Sequence, residues 1–134
     1  MSLIVDASVA VRWYLPEDGV AAAVEILQRD HDLGAPELIL AEIGNAVWKR
    51  VRIGEVETAD AVEIVERARV DFAFLVPMDE LATPAMRHAA ELDHPIYDCF
   101  YLALAEREQA ALVTTDRRLA ALVERAGVSV ELIG

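Results

Sequence analysis

Ile96-Tyr97-Asp98-Cys99-Phe100-Tyr101-Leu102-Ala103-Leu104-Ala105, followed after a polar break by Ala111-Leu112-Val113-Thr114-Thr115-Asp116, is the stretch on which the fold turns. The first half is rich in Ala and Leu and predicts a helix over residues 96–109. The second is a short aliphatic run that predicts a strand over 111–115 and ends on an acid. Working outward, the same alternation recurs. Toward the C-terminus, a helix is expected over 117–126 with Gly127 as its stop, then a strand over 128–133. Toward the N-terminus, residues 72–77 read as a strand stopped by Pro77, followed by a helix over 79–92 whose regular part starts at Pro84. Residues 58–70 read as an amphipathic helix opened by a Thr-Ala-Asp segment able to cap it. Residues 37–52 read as a strongly apolar helix, with Pro36 at its tolerant first turn. Residues 17–30 repeat apolar side chains at helical spacing, and 32–36 read as a break. A short helix over 7–15, stopped by Pro16, follows the aliphatic run Leu3-Ile4-Val5, a buried first strand ending at Asp6. Strands alternating with helices imply an α/β domain, a central mostly parallel sheet with helices on both faces.

The 134 residues suit one domain, and with no repeat or Gly/Ser-rich linker the expectation is a single domain over 1–134. At 55% apolar, the chain is expected to bury a sizeable core. Its apolar runs are too short to span a bilayer, and no signal-type segment opens it, so no membrane association is expected. A lone cysteine, Cys99, excludes an internal disulfide framework and suits a reducing compartment. The resulting expectation is a soluble cytoplasmic protein. Lys and Arg total 12 against 24 Asp and Glu, a formal net charge of -12. That balance argues against a module that coats nucleic acid by electrostatics alone. It fits an acidic site that needs cations, or a basic protein partner.

Most of the acids sit on polar helix faces. Four do not. Asp6 and Asp116 each close an aliphatic strand, and ligands of open parallel sheets bind beyond strand carboxyl ends. The ordinary alternative is that each caps the helix that follows. Glu42 and Asp98 interrupt the apolar faces of their helices: Glu42 lies between Ile39 and Ala46, and Asp98 precedes Tyr101 and Leu102 by three and four residues. A buried carboxylate needs a cationic partner or a raised pKa. A distant Arg would serve, and so would a metal ion. Asn45, three residues beyond Glu42, is placed to orient it or a water. Ser8 and Thr115 offer supporting hydroxyls near Asp6 and Asp116.

Carboxylates without His or Cys make a hard, oxygen-rich site, which favours Mg²⁺ or Mn²⁺ over Zn²⁺. His31, His88 and His94 form no ligand pattern, and Cys99 sits in no catalytic signature. Carboxylates with Mg²⁺ chiefly perform phosphoryl transfer. No phosphate-binding P-loop motif is present. Phosphoaspartate receivers and aspartate-nucleophile phosphatases want a lysine at a strand end, whereas Lys49, the only lysine, falls on a predicted helix.

Taken together, Leu3-Ile-Val-Asp6-Ala-Ser8, Pro36-Glu-Leu-Ile-Leu-Ala-Glu42-Ile-Gly-Asn45, Ile96 to Ala105 and Leu112-Val-Thr-Thr-Asp116 resemble the PIN-domain family, and within it the VapC-type toxins of toxin–antitoxin pairs. The resemblance spans nearly the whole chain. It implies a three-layer α/β/α PIN-like fold and an Mg²⁺- or Mn²⁺-dependent endoribonuclease with Asp6, Glu42, Asp98 and Asp116 as its catalytic and metal-binding acids. It also implies an RNA substrate, a homodimer, and a small cognate antitoxin that often inserts a basic residue into the site. Some relatives carry a further acid shortly after the position of Asp116, where Arg117, Arg118 and Leu119 stand here, which leaves one or two metals open. Arg12, Lys49, Arg50, Arg52, Arg117 and Arg118 are candidates to hold an RNA backbone, with ordinary surface charge as the alternative. Trp13 and Trp48 are expected to pack. The rival readings are a non-catalytic PIN-like interaction module and a DNA-directed or structure-specific nuclease.

Overall fold

The computed structural model describes residues 1–16 and 18–134. In chain order it builds β1 (Ser2–Val5), α1 (Ala7–Tyr14), α2 (Val20–Gln28), β2 (Asp32–Pro36), α3 (Leu38–Arg52), α4 (Thr58–Asp71), β3 (Phe74–Val76), α5 (Met78–Leu92), α6 (Ile96–Glu108), β4 (Ala111–Thr114), α7 (Arg117–Arg125) and β5 (Val130–Leu132). The expected start of the second helix, at residue 17, lies outside the described residues. All strand pairings are parallel, in the order β3-β2-β1-β4-β5. The chain therefore winds one way from β1 through β3, then crosses back to β4 and β5. Right-handed crossovers put α1–α4 on one face and α5–α7 on the other, giving three layers. No helix among the described residues is long and apolar enough to cross a membrane.

The predicted break over residues 32–36 is in fact β2, a strand inside the sheet between β1 and β3. Asp, Gly and Pro are poor strand formers, so local propensity hid it. Tertiary packing overrides that weakness at Gly34, which pairs with Ile4 on one side and Phe74 on the other. A side chain on Gly34 would run into the Phe74 ring, which fills the space a Cβ would need. Pro36 is the last residue of β2 rather than the first turn of α3.

Two further expectations shift. α5 starts at Met78, well before Pro84, which lies inside it. Leu81 and Ala85 are buried along α6, so packing sustains the helix across one missing N–H. α4 has Glu57 at its cap position and no side-chain cap, so the Thr-Ala-Asp segment does not serve as one. Gly127 follows α7 with a positive φ, as a C-terminal stop requires.

α6 is the helix the core depends on. Residues 99–105 are all buried, and the helix lies against β1, β2 and β4. A helix that is apolar all round belongs in the interior. Here that places its second turn against the centre of the sheet.

Gly34→Ala should lower stability by about 1–3 kcal/mol through overpacking against the ring, read by urea denaturation. Adding Phe74→Leu should recover part of the loss. Strictly additive losses in the double variant would show that Phe74 does not constrain Gly34.

Candidate metal centre

The sheet order reverses at β1 and β4, the adjacent strands from which the chain departs in opposite directions. At such a switch point the loops beyond the strand ends diverge and leave a crevice. Asp6 follows β1 there, and Asp116 follows β4 by two residues. The two strand ends are stitched together. The amide of Asp6 donates to the Val113 carbonyl at 3.1 Å. Asp6 Oδ2 accepts the Ser8 hydroxyl at 2.6 Å and the Thr114 hydroxyl at 2.8 Å. Those hydroxyl oxygens in turn accept the amides of Thr115 and Asp116, at 3.1 and 2.9 Å. Asp6 occupies the cap position of α1, yet its side chain caps nothing there, so the capping alternative does not explain it.

Glu42 comes from the second turn of α3, and its Oε1 accepts the hydroxyl of Tyr101 at 2.6 Å. Asp98 lies in the first turn of α6, with His94 Nε2 2.7 Å from its Oδ2. Asp6 is buried and Glu42 half-buried. Burial pushes the carboxyl of Asp6 above its ordinary pKa; the hydroxyls of Ser8 and Thr114 and the Ala7 amide pull it back, and the charge of Asp98 pushes it further up. Glu42 is raised by burial, eased by Tyr101, and raised again by Asp6 and Asp98. These three acids, from β1, α3 and α6, therefore share one electrostatic field. What stabilises the two buried ones is hydroxyls and a backbone amide, not an Arg or Lys. That disposes of the distant-arginine alternative for Glu42.

Asp116 behaves differently. It is exposed, and its Oδ1 accepts the amides of Arg118 and Leu119 at 2.8 and 3.4 Å, so it caps α7. It makes no contribution to the shifts of Asp6 or Glu42. Its second oxygen stays available beside the switch point. Among the described residues no three carboxylates, imidazoles or thiols form a closed metal cage. The donor set nonetheless fits Mg²⁺ or Mn²⁺: hard oxygens, uncompensated negative charge, and an open arrangement suited to an ion that retains several waters.

The supporting residues distribute unevenly. Ser8 holds Asp6 directly. Thr115 contributes only its backbone, and the hydroxyl that bridges Asp6 to the Asp116 amide belongs to Thr114. Asn45 is exposed, and its amide bonds no described residue. Sequence reasoning missed Thr114, Tyr101 and His94. A buried hydroxyl must find a partner, and that demand on Thr114 in a buried strand and Tyr101 in an apolar helix was the available signal. His94, four residues before Asp98, gave only a spacing. Arg12 and Arg117 line a cavity of about 270 Å³ with Thr115 and Leu132 beside the β4 end. Arg50 pairs with Glu55, and Arg52 lies over the exposed Trp48 ring. Trp13 packs as expected, against Phe72, and donates to the Ala23 carbonyl.

A family model described as PIN domain matches residues 3–124. The chain is 31% identical over 122 residues to Ribonuclease VapC3 of Pyrobaculum aerophilum, covering 90% of this chain and 93% of that protein. It is 37% identical over 86 residues to Exonuclease VapC9 of the same organism, covering 63% and 62% of the two chains. Its fold is similar to a member of the VapBC family of toxin-antitoxin systems, VapBC-5 of Mycobacterium tuberculosis, at a TM-score of 0.59 and 24% identity over 98% of this chain and 97% of that one.

A carboxyl whose pKa is raised on folding binds more protons in the folded chain than in the unfolded one. Its ionisation therefore costs stability as pH rises above the ordinary carboxylate range. In EDTA, Glu42→Gln should raise Tm relative to wild type at neutral pH, with the gap closing as pH falls through the carboxylate range. A gap of constant size across pH, read by thermal denaturation, would contradict the buried-charge account.

Proposed function

The chain belongs to the PIN-domain family, and from that premise we propose that it is the toxin ribonuclease of a toxin–antitoxin pair, hydrolysing RNA phosphodiester bonds endonucleolytically with a divalent cation. The observation that carries the reading is the shared field of Asp6, Glu42 and Asp98 at the sheet's switch point, beside Asp116. Those four side chains are the residues we assign to hold Mg²⁺ or Mn²⁺. Such a cation, when bound, lowers the pKa of water, polarises a phosphoryl oxygen and screens the acids from the substrate's own charge.

The chain's residues supply the remaining work. Ser8 and Thr114 fix Asp6 at the junction of β1 and β4. Glu42, whose proton affinity is raised by burial and by two neighbouring acids, is suited to take the proton that the attacking water gives up. The water oxygen then bonds to phosphorus as the bond to the leaving ribose oxygen breaks. Arg117 and Arg118, exposed at the start of α7 beside Asp116, are placed to hold the RNA backbone.

A formal charge of -12 makes a basic antitoxin segment the complementary inhibitor. The exposed Met86 (57%) and Tyr97 (65%) offer an apolar face for a homodimer. Buried Cys99 fits a cytoplasmic setting.

The test is a covalently closed circular RNA incubated with wild type or Asp98→Asn, in Mn²⁺ or in EDTA, with circular single-stranded DNA in parallel. Wild type with Mn²⁺ should linearise the RNA, while Asp98→Asn should lose at least about a hundredfold in rate. A circle left intact while linear RNA shortens from its ends would make the enzyme an exonuclease. Cleavage of the DNA alone would move the substrate to DNA, and equal rates for the two proteins would remove Asp98 from the site.

A further inference from the structure

Each of the four acids already has one oxygen taken. Asp6 receives both hydroxyls, from Ser8 and Thr114, on Oδ2. Glu42 receives Tyr101 on Oε1. Asp98 receives His94 on Oδ2, and Asp116 receives two backbone amides on Oδ1. No side chain among the described residues donates to the second oxygen of any of them. The donors come from different elements, so the pattern is a property of the assembled fold and not of one turn.

Tyr101 is the most constrained donor. It is 1% exposed, in the middle of α6, and its hydroxyl crosses to α3. Burial and the nearby charges of Glu42 and Asp6 hold its proton firmly, so the hydroxyl acts as a donor. Its ring is packed on all sides, which fixes where that proton points. The orientation of Glu42 is therefore set by the core helix α6 as well as by the helix that carries it.

The size of a cation decides how it uses a carboxylate. Ca²⁺ takes six to eight oxygens in flexible geometry and often both oxygens of one carboxylate, whereas Mg²⁺ and Mn²⁺ suit six-coordinate oxygen sites and take them singly. We propose that Tyr101 is a positioning residue of the acidic centre: by occupying Glu42 Oε1, as Ser8 and Thr114 occupy Asp6 Oδ2, it leaves each acid a single oxygen for a divalent cation and so selects a small ion over Ca²⁺. The inference rests on the metal-dependent reading above and adds to it the hydroxyls that set the ion's size. Tyr101 touches neither RNA nor cation. It acts through Glu42.

The test is isothermal titration of the full chain, without RNA, by Mn²⁺ and separately by Ca²⁺. Wild type, Tyr101→Phe and Ser8→Ala are compared, with circular dichroism to confirm folding. Tyr101→Phe keeps the ring and removes only the donor. Its Mn²⁺ affinity should fall about tenfold, the lower end for loss of an outer-sphere partner. Its Ca²⁺ affinity should hold or tighten, because Glu42 regains its second oxygen. Ser8→Ala, nearer the surface, should move the same ratio by less, and it carries the test should Tyr101→Phe fail to fold. Equal losses for both ions, or an unchanged Mn²⁺ preference in the folded variants, would overturn the proposal and leave the hydroxyls a structural role. If wild type itself bound neither ion, the metal-dependent reading would fall first, which separates the two failures.

Discussion

Gathering carboxylates where water is scarce costs free energy, and in this molecule the rest of the structure is arranged around meeting that cost. Asp6 and Glu42 are removed from solvent, and each is pushed further toward its neutral form by the charge of Asp98. Neither is relieved by a basic side chain. The relief comes from Ser8, Thr114 and Tyr101, hydroxyls that can donate to a carboxylate without neutralising it. The centre thereby keeps its negative charge for a cation, where an arginine would have cancelled it. Stability is given up locally for a charge pattern that is useful only with a ligand of opposite sign, and strain of this kind gathers at functional sites.

Holding that pattern still falls to the core. α6 is buried along most of its length, and it carries Asp98 and Tyr101 one turn apart, against β1, β2 and β4. The two side chains inherit the rigidity of a close-packed interior. Glu42 depends on the same interior by a longer route. It rides on α3, α3 leaves from β2, and β2 is held in the sheet where Phe74 covers Gly34. Packing far from the acids thus governs the distance between them. The charge of -12 and the open crevice call for the same kind of counterpart, whether a cation, a basic segment of a partner, or both in turn.

Much of this was legible in the sequence, for identifiable reasons. Strand β1 ends on an acid, as does the segment leaving β4, and apolar helices interrupted by a single carboxylate announce a buried charge that needs an answer. Those signals depend only on residue type and period, and Asp6, Glu42, Asp98 and Asp116 were all reached that way. β2 was not legible, because Asp-Leu-Gly-Ala-Pro has the composition of a turn, and its strand character comes from neighbours on both sides. Thr115 was preferred to Thr114 because adjacent hydroxyls cannot be told apart until the pleat decides which one points inward. Tyr101 read as one more apolar-face residue, since its partner lies 59 positions away.

The sequence by itself therefore determined the alternation of helix and strand, the set of acids and the hard-cation chemistry they permit, because these follow from local period and from the properties of single side chains. Only the tertiary structure decided the strand order, the convergence of Asp6, Glu42 and Asp98, the separate helix-capping role of Asp116, and which oxygen of each acid is already bonded. Those are relations between residues far apart in the chain. They are set by which surfaces pack together, and no local window of sequence contains that information.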